Sequence, residues 1–281
     1  IIFALVATVG INFSCSESFL EVQPQGAASL TSLSNKSGVN ALLIGAYSLL
    51  DGVGAGNTGR QSTISNYVFG GITSGDAVKG TDAGDQPEQS FIEQFTWFAE
   101  NTYFNGKWQH TYDGVARANE AILLAKSPDV KDMTDAEKTQ VIAEARFLRG
   151  HYYFELKKLF NSVPYVDETK DYGKGIEKVA NTEAFWDKIE ADFAYAYTNL
   201  PATSSSAGRA NKWAAQAYLG KALLYQGKFA DAKAKFTDVI ANGVTTNGKK
   251  YGLVPKFAEI FNAENDNNEE AVFAIQSSMN T

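Results

Sequence analysis

The sequence predicts an all-α fold built from helical repeats with long irregular loop insertions. Three observations carry that reading. Val141, Ala145, Leu148, Tyr152, Leu156 and Leu159 recur at steps of three and four, the period of a helix with one buried stripe. Leu219-Gly220, Gly227, Ala232, Phe236 and Val239 fall at the offsets of a tetratricopeptide repeat. In such a repeat Gly220 and Ala232 are small where two helices cross, and Phe236 fills the gap beyond. Residues 52–90 are dominated by Gly, Asp, Ser and Thr, an insertion whose length in a compact domain points to function.

The chain opens IIFALVATVGINFSC, apolar and uncharged up to its single cysteine. That stretch is shorter than the ~20 residues a spanning helix needs, so residues 1–14 read as the apolar region of a secretory signal. It carries no initiator Met and no basic leader, so a longer natural beginning is expected. A cysteine in that place resembles a bacterial lipoprotein signal, although Asn12 and Phe13 replace the usual Leu and small residue. The resemblance implies acylation of Cys15, with residues 15–35 as a Ser- and Gln-rich tether. With one cysteine, no intrachain disulfide can form.

Residues 36–281 read as one helical-repeat domain. A first helix runs from Ser37 to Leu50 and is stopped by Gly52, Gly54 and Gly56. After the Gly-rich insertion, FIEQFTWFAENTYFNGKW leads into a helix from Tyr103 to Lys126. Thr134 and Glu137 form a capping box ahead of the long striped helix, which ends at Phe160-Asn161. The following SVPYVDE is extended, as the residue before Pro164 requires. Thr182 is placed to cap a helix through Phe185, Ile189, Phe193 and Tyr197, stopped by Leu200-Pro201. Two more helices, Lys212 to Gln226 and Phe229 to Ala241, turn at Gly227 and stop at Asn242-Gly243. The closing VFAIQ suits a strand or a further helical turn.

A formal net charge of −7 argues against a nucleic-acid partner, which would need a basic face, and suits a neutral ligand. Two histidines and one cysteine cannot supply a Cys/His zinc site, and no metal or cofactor is expected. No paired glycosidase carboxylates, Ser–His–Asp set or phosphate-cradling loop stands out, so no catalytic residue is assigned.

Several blocks, in order, resemble the SusD/RagB-like outer-membrane lipoproteins of Bacteroidetes. They are CSESFLEVQPQ, KGTDAGDQPEQ, FTWFAENTYFNGKWQHTYDGVARANEAI, AEARFLRGHYYFELKKLFNSVPYVDE, AAQAYLGKALLYQGKFADAKAKFTDVIANG and YGLVPKFAEIFNAENDNNEEAVFAIQ. The resemblance covers nearly the whole chain. It implies four tetratricopeptide-like units and members near twice this length, hence a missing C-terminal half. It further implies a non-catalytic, lipid-anchored protein on the cell surface. Such a protein captures oligosaccharide or polysaccharide and passes it to a TonB-dependent, SusC-like transporter. The alternative is a tetratricopeptide-type scaffold that binds a protein and no sugar.

In that family an aromatic and an asparagine of this region help line a maltooligosaccharide site, which implies that role for Trp97 and Asn101. Tyr103 and Phe98 are candidates for the same surface, although aromatics beside a helix are more often core. Asp76, Asp82, Asp85 and Glu88 could offer oxygens to sugar hydroxyls or to Ca²⁺; their spacing is not that of an EF-hand, and a solvated acidic loop is the plainer reading. Asp76 is kept as a ligand candidate. The acidic run from Glu264 to Glu270 reads as a surface loop. Glu144, Arg146 and Arg149 read as structural ion-pair members, and His151 as a packed or half-buried histidine.

Overall fold

The computed structural model describes residues 30–53, 66–82, 84–170, 179–181 and 184–276. Cys15, the signal segment, most of the tether and Thr182 lie outside them. Seven helices organise the described residues: α1 (Lys36–Tyr47), α2 (Pro87–Glu93), α3 (Thr102–Ala125), α4 (Asp135–Phe160), α5 (Trp186–Asn199), α6 (Lys212–Tyr225) and α7 (Phe229–Asn242).

Local chemistry sets their ends. The Asn35 side chain accepts from the Gly38 N–H at the start of α1, and Gly52 takes a φ of 85° where the following 3-10 turn, Ser48–Asp51, stops. At α4 the capping box is complete: Thr134 accepts from the Glu137 N–H, and the Glu137 carboxylate accepts from the Thr134 N–H. Helix α5 begins at Trp186, with Phe185 at the cap position and no side-chain cap.

Two expectations need correction. The 52–90 insertion is not wholly irregular: a π-helical turn at Tyr67–Gly71, a short turn at Ile72–Ser74 and α2 surround a small core of Val68, Ile72, Ile92 and Tyr103. VFAIQ forms neither a strand nor a helix, and the pairing among the described residues is a single bridge, Val244 to Lys250.

Helices α3, α4, α5, α6 and α7 pack each on the next, with α1 laid against α3 and α4. The pairs are keyed by glycines. A Cβ on Gly150 of α4 would lie 3.0 Å from the Phe193 ring of α5, and one on Gly220 of α6 would lie 2.9 Å from the Phe236 ring of α7. Both pairs therefore use the same device, a glycine on the first helix receiving an aromatic from the second. They differ in the connection, where residues 161–185 are inserted between α4 and α5. That is the repeat array with insertions predicted from the sequence.

The inserted segment is strapped to the array. Tyr112 Oη donates to the Pro164 carbonyl at 2.6 Å, and Tyr153 Oη exchanges hydrogen bonds with the backbone of Val166. Arg146 and Arg149 are consumed by packing, as the structural reading expects. Asp192 of α5 accepts from Arg146 Nε at 2.7 Å and from Arg149 Nε and Nη2, both at 2.8 Å. Burial alone would raise the Glu168 carboxyl, yet the hydrogen bond from Lys126 and the charge of Arg149 hold it at about 2. Glu144 pairs instead with Arg209 at 2.9 Å and accepts from Tyr47 Oη at 2.8 Å. Among the described residues no helix is long and apolar enough to cross a membrane.

Candidate functional site

The connection from α2 to α3, residues 94–101, is an elbow that presents aromatic rings to solvent. Phe95 is 62% exposed, Trp97 45%, Phe98 43% and Phe91 37%. They form two pairs on the elbow: Phe95 meets Trp97 with ring centroids 5.7 Å apart, and Phe91 meets Phe98 at 5.5 Å. Trp97 stands edge-on to Phe104 of α3 at 5.8 Å, and Phe104 contacts Phe69 at 5.4 Å, which ties the first pair to the small core beneath.

The backbone of the elbow is fixed by its hydrogen bonds. Thr96 N–H donates to the Phe91 carbonyl at 2.8 Å and Phe95 N–H to the Ile92 carbonyl at 3.1 Å, the two bonds of a Schellman cap on α2. The cap's left-handed position belongs to Phe95, at φ 57°. Glycine takes this conformation freely, whereas a bulky L-residue is strained by about 1–2 kcal/mol. Phe95 therefore costs stability where it stands, and its exposed ring returns little of it in burial. Such retained strain singles Phe95 out for a functional reading.

Asn101 and Tyr103 do other work, and their places correct the expectation that they face a ligand. Asn101 is wholly buried: its Oδ1 accepts from the Tyr103 N–H to cap α3, and its Nδ2 donates to the Glu88 carbonyl, both at 3.0 Å. The Glu88 carboxylate accepts from the Thr102 N–H at 2.8 Å. Tyr103 is also buried; its hydroxyl donates to Gln86 and accepts from Gln89 Nε2 at 2.7 Å. These residues clamp α2 to the start of α3 and so hold the elbow rigid. They position the patch without belonging to its surface.

Asp76 is exposed and accepts from the Ser74 hydroxyl at 3.0 Å. Its loop leans on the same small core through Tyr67, whose hydroxyl donates to the Val78 carbonyl at 2.9 Å. Lys79 Nζ donates to the Asp82 carbonyl at 2.6 Å and to the Thr81 hydroxyl at 3.0 Å, so an ammonium gathers the oxygens that a metal ion would need. No cluster of metal-ligating side chains occurs among the described residues.

Residues 18–224 match the protein family described as "Starch-binding associating with outer membrane", a SusD-like group. The chain belongs to that family. A SusD-like protein of Formosa agariphila is 27% identical over 214 residues, covering 73% of this chain and 41% of that protein. The starch-binding protein SusD of Bacteroides thetaiotaomicron is 33% identical over 148 residues, 51% of this chain and 25% of that protein. Among solved structures, a laminarin-binding SusD-like protein superposes with a TM-score of 0.70 at 27% identity, over 85% of this chain and 50% of that one. A surface glycan-binding protein of B. thetaiotaomicron, solved with laminarihexaose, has a TM-score of 0.68 over 86% of this chain and 49% of its own; at 20% identity it speaks for the fold alone. This SusD-like chain thus spans half or less of the length of these relatives.

Proposed function

We propose that this SusD-like protein is a non-catalytic glycan-binding lipoprotein of the outer membrane. On this reading the Phe91, Phe95, Trp97 and Phe98 patch is where a sugar chain stacks. The strained, exposed Phe95 beside Trp97 on a clamped elbow is the observation that carries it. A rigid aromatic surface suits pyranose faces, because it is ordered before the ligand arrives and little entropy is lost on binding. The family's starch-binding description and the relatives named for laminarin make both glucans the first probes. Asp76, exposed on the neighbouring loop, is proposed as an acceptor for sugar hydroxyls.

Two substitutions test the patch. Trp97→Ala removes one stacking face and is expected to weaken laminarin or starch binding on the order of tenfold, with the fold unchanged. Phe95→Gly relieves the left-handed strain, so stability holds or rises by up to about 1 kcal/mol while affinity falls. Affinity electrophoresis and thermal melts read both quantities. Full affinity in both variants would remove the elbow from the site. A polysaccharide panel separates function classes: depletion without product means binding, and new reducing ends mean hydrolysis. Absence of both depletion and product would return the protein to the scaffold reading.

Cys15 is proposed as the acylated anchor on the cell surface. In a chain with its natural leader, Cys15→Ser is expected to shift the protein from the membrane pellet to the soluble fraction. Retention in the pellet would refute the anchor. A captured glycan needs an importer, and a SusC-like, TonB-dependent transporter is the proposed partner. Detergent extraction from the native host should recover the two together through an interface above ~1,000 Å². Recovery of the lipoprotein alone would rule the complex out.

A further inference from the structure

Away from the elbow, three helices each turn one face onto a single cavity of about 210 Å³. Helix α4 brings His151, Glu155 and Lys158, spaced four and three apart and so on one side. Helix α6 brings Lys221, and α3 brings Lys107 with His110 one turn further on.

The charges in this cavity do not balance. Glu155 is the carboxylate that faces them, meeting Lys158 Nζ at 2.7 Å and Lys107 Nζ at 4.0 Å. Lys221 makes no ion pair among the described residues; its ammonium lies over the rings of Phe154 at 5.2 Å and Tyr218 at 5.7 Å. Both histidines are neutral at ordinary pH. Burial pushes His151 down to about 4, and burial also lowers His110, whose Nε2 bonds to the Leu49 carbonyl at 2.8 Å. Three ammonium groups thus share one carboxylate, with Lys107 buried, Lys158 half-buried and Lys221 exposed at the cavity's rim. Burial and the neighbouring Lys158 charge accordingly lower the pKa of Lys107 and of Lys221. The polar complement is incomplete in a second way, since His151 Nδ1 is shut away from solvent with no hydrogen-bond partner.

Lys107 carries a buried charge that has only a distant share in Glu155, at 4.0 Å, and an incompletely compensated ion in low dielectric is expensive. We propose that this cavity is a binding site for a small oxyanion, a carboxylate or sulfate group held between Lys107 and Lys221 opposite Glu155. The cavity's size limits the ligand to a bare anion or one acidic monosaccharide, not a chain. Sulfate esters and uronic acids offer the same chemistry, so a sugar acid and a free anion are the two sources. The site is separate from the aromatic elbow and does not depend on it.

Calorimetric titration of the protein with sodium sulfate, sodium glucuronate and glucose at low ionic strength tests this. Sulfate and glucuronate should bind saturably and glucose should not. Equal affinity for the two anions assigns the site to the oxyanion alone, and markedly tighter glucuronate assigns it to an acidic sugar. Lys221→Met should weaken sulfate about tenfold or more, the worth of one charged hydrogen bond. Lys221→Arg should keep most of the affinity. Glu155→Gln, by removing the competing carboxylate, should tighten sulfate several-fold, a gain that a merely structural role does not predict. Lys107→Met repeats the Lys221 test at the buried end; if it unfolds, the Lys221 and Glu155 variants carry the result. Laminarin binding should be unchanged in Lys221→Met, so failure here leaves the elbow reading standing. Absence of saturation by either anion, or one affinity across wild type, Lys221→Met and Glu155→Gln, would overturn the proposal.

Discussion

Asp192→Ala is expected to destabilise the protein by about 3–5 kcal/mol, the largest effect of any single change proposed for it. Asp192 is 1% exposed and receives three hydrogen bonds from two arginines. Removing it leaves Arg149, 3% exposed, with Glu168 and Asn119 and without its bidentate partner. A guanidinium does not shed its proton to escape burial, so the cost appears in full as lost stability. Arg146 is better solvated and stacks on Tyr195 at 4.3 Å, so Arg146→Ala should cost less than Arg149→Ala. Replacing Arg149 and Asp192 together by leucines should recover part of the loss, because the buried guanidinium is gone and Glu168 keeps Lys126, while only the better solvated Arg146 loses its carboxylate. Urea denaturation of the four variants checks the order. If Asp192→Ala costs under about 1 kcal/mol, the pair is solvated and does not fasten α4 to α5.

The helices were legible because their signals are local. Thr134 and Glu137 lie three residues apart, and Gly220, Ala232 and Phe236 sit on two adjacent helices. Trp97 is legible as a ligand candidate only through family resemblance, and it stands exposed on the elbow. Asn101 and Tyr103 are buried, and the sequence carries a cue to that. An asparagine and a threonine directly before a helical run are an N-cap signature, and the cap is what Asn101 provides. Phe91 and Phe95 carry no such signal: PEQS falls in the Gly-rich 52–90 insertion, and FIEQFTWFAENTYFNGKW reads only as the lead into the helix at Tyr103. Yet Pro87 at the first turn followed by Glu88 is a helix start. No local pattern could have revealed that Phe95 adopts a left-handed conformation, since glycine is the residue expected there. The lysine cavity was equally hidden. Lys107, Lys158 and Lys221 belong to three helices far apart in sequence, and each alone reads as an ordinary surface charge.

Gly114 of α3 is a glycine whose replacement should be costly, because it receives the Tyr152 ring of α4. A Cβ there would lie 2.5 Å from Tyr152 Cζ and 2.6 Å from two further ring carbons. The ring cannot easily retreat, because Tyr152 is 3% exposed and its hydroxyl donates to the Ala46 carbonyl at 2.6 Å, locking α4 to α1. Overpacking of this kind costs about 1–3 kcal/mol, and the locked ring puts Gly114→Ala at the upper end. Against that stands about 1 kcal/mol gained by alanine over glycine inside a helix, leaving a net loss of about 2. Gly220→Ala makes the contrast. Its Cβ would meet Phe236 at 2.9 Å, but that ring is only partly buried, with no hydroxyl to tether it, and can swing aside. The helix gain and the crowding then nearly cancel, and only a larger side chain, as in Gly220→Leu, should cost about 1–3 kcal/mol. Thermal melts of the three variants test the ranking. Tyr152→Phe provides the decisive background: without its hydroxyl the ring loses its tether and can tilt. Gly114→Ala should therefore cost at least about 0.5 kcal/mol less there than in the wild type, the coupling expected of residues in contact. Equal costs in both backgrounds would mean that the tether to Ala46 does not hold the ring.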